Sequence, residues 1–192
     1  MIGIRIICVG KLKENFFTDA ANEYIKRLAG YCKLEIAEIP EHRLPPGGAD
    51  GGKFTIHNSQ FTIDGDGGRC RNAQSSSAKG MDPHVAIALG KERDAINKKI
   101  PAGAVTVALC VDGRGMDSQG LSRFIMDCAG RGASRLCFII GGSFGLHEEV
   151  ANGADLKLSM SKMTFPHHLA RIMLLEQLYR SFKIAEGGKY HK

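Results

Sequence analysis

The stretch Leu136-Cys137-Phe138-Ile139-Ile140-Gly141-Gly142-Ser143-Phe144-Gly145-Leu146 decides how this chain folds. An unbroken apolar run closed by glycine suits a short strand buried on both faces, as inside a parallel sheet. The glycines that follow let backbone amides approach a ligand closely and permit positive φ. Their order is GGxxG, which is not the GxGxxG dinucleotide fingerprint, and no full GxxxxGK[ST] phosphate loop occurs in the chain, since Gly47 to Lys53 is followed by Phe54. The stretch therefore reads either as a plain strand-to-helix turn or as a ligand loop outside the dinucleotide class.

Working outward, residues 4–9 form a second buried strand, closed by Gly10. Phe17, Ala20, Ala21, Tyr24 and Leu28 fall at helical spacing and predict a helix over 16–28, stopped by Gly30, before a strand over 32–39. A helix over 83–99 is expected next, with Asp82 as N-cap and Pro83 in its first turn. A strand over 105–111 follows, then Asp112-Gly113-Arg114-Gly115 as a loop and a helix over 118–129. Beyond the quoted stretch come a short helix over 147–152 and a strand over 156–160. A loop over 161–165 then leads into a long helix over 166–184, striped by Leu169, Ile172, Met173, Leu175, Leu178, Tyr179 and Phe182. Strands alternating with helices imply an α/β fold, a parallel sheet with helices on both faces.

The one change of character falls at about 46–82. Pro45-Pro46-Gly47-Gly48 opens it, Ser75-Ser76-Ser77 lies near its end, and only Phe54-Thr55-Ile56 and Phe61-Thr62-Ile63 are able to pair as a small hairpin. It reads as a flexible Gly/Ser-rich insertion in a single domain spanning 1–192, or as an RNA-contacting arm around Arg69 and Arg71.

A chain of 192 residues suffices for one α/β domain, and its 43% hydrophobic and 24% charged residues exclude fibrous or wholly disordered classes. The net charge of +6 favours a polyanionic partner. Six scattered cysteines form no CxxC pair, which argues for a reducing compartment and against a zinc site. Residues 1–10 read as a strand rather than a secretory leader, and no apolar run reaches the roughly 20 residues of a membrane span, so a cytoplasmic protein with no membrane partner and no metal is expected.

Ligands of open α/β sheets bind beyond the carboxyl ends of the strands. Three such ends carry informative loops: Leu109 to Gly113, Gly141 to Leu146, and Ser161-Lys162-Met163-Thr164-Phe165-Pro166. The last is odd for a connector. Its Met163 and Phe165 either cap the core under the final helix or, with free backbone groups, flank an adenine. His167 and His168 open that helix as neutral surface features or as contacts to a substrate. Arg171, Arg180 and Lys183 read as a solvated face or as phosphate grips. Tyr190 and His191 stand near the end of the chain, either frayed or placed to orient a base and accept its proton.

Taken together, Val9-Gly10-Lys11, Ile139 to Leu146, Ser159 to His167, Glu176-Gln177-Leu178-Tyr179-Arg180 and Tyr190-His191 resemble the RlmH family of ribosomal RNA pseudouridine methyltransferases, part of the SPOUT group. The resemblance covers residue 4 to about 45 and most of 83–192, and the sequence departs from the family at the Gly/Ser-rich stretch, where a much shorter connector is usual. It implies a parallel-sheet SPOUT fold with a C-terminal trefoil knot, a rare exception to unthreaded chains. It also implies a homodimer whose subunits jointly build each site.

The cofactor it implies is S-adenosylmethionine, held by Leu109, Gly141, Ser161, Lys162, Met163, Thr164, Phe165 and Pro166. The expected reaction methylates nitrogen-3 of a pseudouridine in large-subunit ribosomal RNA, within assembled ribosomes. His191 is expected to accept the proton, Tyr190 to orient or stack, and Arg180 and His167 to hold a phosphate or uracil oxygen. The alternatives are a SPOUT methyltransferase acting on another RNA position and a catalytically silent RNA-binding assembly factor.

Overall fold

The structure, a computed structural model, describes residues 1–42 and 82–187. The insertion expected at about 46–82, except Asp82, lies outside the described residues, with its hairpin, Arg69 and Arg71. Tyr190 and His191 lie outside them too.

Strand β1 (Gly3–Val9) leads into helix α1 (Asn15–Leu28) and strand β2 (Lys33–Ile39). Gly10 ends β1 with φ 88°, and its N–H donates to the Ile39 carbonyl at 2.8 Å. Helix α2 (Pro83–Asn97) starts as the sequence predicts: Asp82 accepts the His84 N–H at 2.8 Å, with Pro83 in the first turn. Strand β3 (Val105–Gly115) and helix α3 (Ser118–Gly130) follow, the helix capped by Asp117, which accepts the Gly120 N–H at 2.6 Å. Then come β4 (Arg135–Ile140), α4 (Glu148–Gly153), β5 (Leu156–Ser159) and α5 (His167–Ala185).

All five strands pair in parallel, in the order β2-β1-β4-β3-β5. The central strands bury both faces, and side-chain alternation divides them between two cores. Ile4, Ile6 and Cys8 of β1 and Leu136, Phe138 and Ile140 of β4 point to one face. There they meet Ala21 and Leu28 of α1, Leu121 and Ile125 of α3, and Leu174, Leu175 and Leu178 of α5. Ile7, Val9, Cys137 and Ile139 point the other way, toward Ile96 of α2 and Val150 of α4. Cys8 and Cys137 serve as small buried hydrophobes, and burial pushes both thiols up to about 11. Cys110 is only partly buried.

Two expectations need correction. The 112–115 stretch is part of β3 and not a free loop: the ladder with β5 breaks after Leu109, then resumes with Arg114 opposite Leu158 and Gly115 opposite Ser159. Tertiary pairing overrides the turn-like composition, and Gly113 permits it, because a Cβ there would lie 2.8 Å from the Leu158 backbone carbon. Arg171 is neither solvated nor set out for a phosphate. It is 2% exposed, donating to Glu38 Oε1 at 2.7 Å and to the Gly10 carbonyl at 2.8 Å. Its position explains this, since Arg171 falls on the same stripe as Leu174, Leu175 and Leu178.

Candidate active site at the carboxyl end of the sheet

The strand order sets β4, β3 and β5 side by side, so the segments after Ile140 and Ser159 and the break in the β3 ladder after Leu109 lie at adjacent positions toward one end. Ser159 sits at the β5 edge, and its hydroxyl donates to the Val111 carbonyl at 3.0 Å and the Ser161 carbonyl at 3.0 Å. Eight residues later the chain has reached β1. A Cβ placed on Gly10 would lie 2.8 Å from His167 Nε2, and His168 Nε2 is 3.1 Å from the Lys11 carbonyl. Between those anchors lie β3 and β4. The 160–166 segment therefore crosses the carboxyl ends of the two strands that launch the other predicted loops.

Within the crossing, the Ser161 hydroxyl accepts the Met163 N–H at 3.0 Å, a local turn that stiffens the loop. Lys162, Met163, Thr164 and Pro166 are exposed and Phe165 half-buried. Met163, at 67% exposure, does not cap the core under α5. An apolar side chain left outside the core on a doubly anchored loop is suited to a ligand's flat face.

The glycine turn is built for close approach. A Cβ on Gly141 would lie 2.9 Å from the Leu146 nitrogen and collide with the Gly145 carbonyl. Of these glycines only Gly145 has positive φ, at 80°, and its N–H closes the turn on the Gly142 carbonyl at 3.0 Å. Leu109 is half-buried and packs against the larger core.

Glu41, which sequence reasoning did not single out, holds this turn: its Oε1 accepts the Ser143 N–H at 2.9 Å and the Ser143 hydroxyl at 2.5 Å. Burial pushes its pKa up, but the two Ser143 bonds outweigh that and hold it below the ordinary carboxylate value. His167 is shifted down, chiefly by burial and then by the neighbouring His168, whose ring centroid is 3.8 Å away. Nothing local in the sequence marks Glu41, whose partner lies 102 positions away.

The remaining predicted residues are spread along α5. Arg180 donates through Nε to Glu176 Oε1 at 2.9 Å, within one turn of the helix. His167 opens α5 and Arg180 lies near its other end. At roughly 1.5 Å rise per residue they are about 20 Å apart along the axis. One chain's α5 thus does not bring the two side chains together. A cavity of about 410 Å³ lies beside the start of the crossing, between the start of α3, the end of β5 and α5, lined by residues that include Met116, Ser118, Met160, Met173 and Gln177. Sequence reasoning named none of these five residues as ligand-binding. The only local signal was Met160, the first residue of the crossing.

A parallel sheet that carries the Gly141–Leu146 turn and the 160–166 segment at its carboxyl end has the architecture in which open α/β sheets usually bind a ligand. The chain belongs to the SPOUT methyltransferase family: residues 2–191 match the family model described as "Predicted SPOUT methyltransferase". It is 39% identical over 191 residues to a ribosomal RNA large subunit methyltransferase H from Clostridioides difficile (strain 630), and the match covers 100% of each chain. A protein of the same name from Clostridium botulinum (strain Eklund 17B / Type B) is 38% identical, again over 100% of both. "Ribosomal RNA large subunit methyltransferase H 1" from Clostridium perfringens (strain SM101 / Type A) is 37% identical over 100% of both. Membership implies a methyl donor of the S-adenosylmethionine type. No helix among the described residues is long and apolar enough to cross a membrane.

Proposed function

We propose that this chain transfers a methyl group from S-adenosylmethionine to nitrogen-3 of a pseudouridine in large-subunit (23S) ribosomal RNA, acting in the cytoplasm on assembled ribosomes. The observation that carries the reading is the 160–166 crossing, which runs past the ends of β3 and β4 between its anchors at Ser159 and His167. The names of the full-length relatives support ribosomal RNA as the substrate, and the net charge of +6 suits a polyanion.

The residues at this end fit the cofactor. Exposed Met163 supplies an apolar wall, the Ser161 turn stiffens the backbone beside it, and the glycine turn leaves room for backbone contact. Leu109, Gly141 and Ser161 to Pro166 would hold it. When bound it supplies an electrophilic methyl group on a sulfonium, so the protein must contribute positioning and removal of a proton. His191 accepts the imide proton from the base, because an imidazole titrates near neutrality, and Tyr190 orients or stacks on the ring. Arg180 and His167 hold phosphate or uracil oxygen.

The distance along α5 between His167 and Arg180 favours a homodimer, in which one subunit's crossing loop meets the partner's helix end and tail. The 1–192 chain acts as one domain, with 46–82 as an insertion and α5 threaded through the trefoil knot of the family. Incubating purified ribosomes with methyl-labelled cofactor and analysing the nucleosides tests the reading. Labelled 3-methylpseudouridine is expected. Label on another nucleoside would move the substrate to a different RNA position, and saturable RNA binding without label would make the chain a silent assembly factor.

A further inference from the structure

We infer that Glu41 is a positioning residue for the cofactor, setting the shape of the Gly141 to Gly145 turn from a different part of the chain. The inference rests on the reading above, in which that turn contacts the methyl donor. The Glu41 carboxylate directs one oxygen, Oε1, at both donors of Ser143, and the same oxygen lies 3.2 Å from where a Cβ on Gly142 would stand. Val9 Cγ1 would be 2.9 Å from that position, so Gly142 is held between the last residue of β1 and Glu41. The turn is thereby fixed from outside by Glu41 and from inside by the Gly145 to Gly142 bond.

Glu41 is itself fixed. The next residue, His42, donates its N–H to Glu92 Oε1 at 3.0 Å, and Glu92 is 3% exposed on α2. A carboxylate buried to that degree is retained where it satisfies a specific donor. The segment after β2 is thus tied on one side to α2 and on the other to the turn after β4. Ser143 is exposed, and water would satisfy its N–H and hydroxyl if Glu41 were absent. The pair therefore contributes little to folding, and its effect falls on which conformation the turn adopts. Pre-setting a loop in its binding conformation raises affinity by removing the cost of ordering it at the moment of binding.

Titration calorimetry of the full chain with S-adenosylmethionine tests this, alongside thermal unfolding. Glu41→Ala is expected to weaken binding about tenfold, as loss of a charge-assisted pair implies, while the melting temperature stays near that of the wild type. Glu41→Gln keeps an acceptor oxygen and is expected to recover most of the affinity; Ser143→Ala keeps the N–H and loses less than Glu41→Ala. Equal affinity for wild type and Glu41→Ala overturns the inference, and so does affinity lost only in step with stability in all three variants. A wild-type chain that does not bind the cofactor would instead refute the proposed function.

Discussion

The two ends of α5 carry the same kinds of side chain and treat them differently. At the start, Arg171 reaches partners 133 and 161 positions away, Glu38 and the Gly10 carbonyl, and is almost fully buried. His168 likewise meets Lys11, and its ring stacks near Phe17 with centroids 5.7 Å apart. Toward the end, Arg180 pairs with Glu176 and Lys183 with Glu186 at helical spacing. Long-range pairs at low exposure lock the helix onto the β1 and β2 ends. Of these local pairs Arg180–Glu176 is part-buried, and the more exposed Lys183–Glu186 is worth little to stability. Both ends of α5 pack into the core, through Leu174 and Leu175 nearer its start and Leu178 and Phe182 toward its end, but only the first turns are tied by long-range polar pairs.

The largest effect that would sharpen this contrast comes from the tail. Removing Tyr190 to Lys192 is expected to lower methylation of ribosomes about a hundredfold or more, the usual scale for losing a general base. Its urea midpoint should stay unchanged; methylation at the wild-type rate would remove Tyr190 and His191 from the site.

Next in size is Arg171→Met, which leaves Glu38 and the Gly10 carbonyl without their partner. Breaking a pair buried on the arginine side costs about 3 kcal/mol, and the partial exposure of Glu38 keeps it from being larger. Chemical denaturation reads it. A loss under about 1 kcal/mol would make the two ends of the helix equivalent after all.

Arg180→Ala should do the reverse, lowering methylation about tenfold while costing about 1 kcal/mol or less in stability. The same two assays, steady-state rates and denaturation, separate it from Arg171→Met.

The smallest effect is in pH. His167 is held below its ordinary value of 6.5, chiefly by burial, so the unfolded chain binds its proton more readily than the folded one. Its contribution is fully present above pH 6.5 and is lost as pH falls from there through the lower folded value. Thermal unfolding of wild type should weaken over that window, and His167→Gln should flatten the dependence. A stability that rises as pH falls below 6.5 in the wild type alone would mean that His167 is stabilised by protonation.

Much of this architecture is readable from residue order. The apolar runs around Ile4 and Leu136, the helical spacing of Phe17, Ala21 and Leu28, and Asp82 before Pro83 are local signals, and every element but β3 stands within a residue or two of its expected bounds. What escaped is non-local. Asp112-Gly113-Arg114-Gly115 looks like a turn, yet β5 draws it back into the sheet, which no window of sequence reports. Arg171 looked solvated by residue type, although its place on the buried stripe with Leu174 and Leu178 was visible in the spacing. Glu41 gave no sign, since only the folded chain sets it beside Ser143. The three segments were legible as separate oddities, and strand order supplies their adjacency.

That adjacency is open to direct measurement by amide hydrogen exchange with and without S-adenosylmethionine. Slower exchange arising together in residues 109–115, 141–146 and 161–166 is the expected result. Protection confined to the cavity walls at 116–119 and 173–177, with all three loops unchanged, would contradict it.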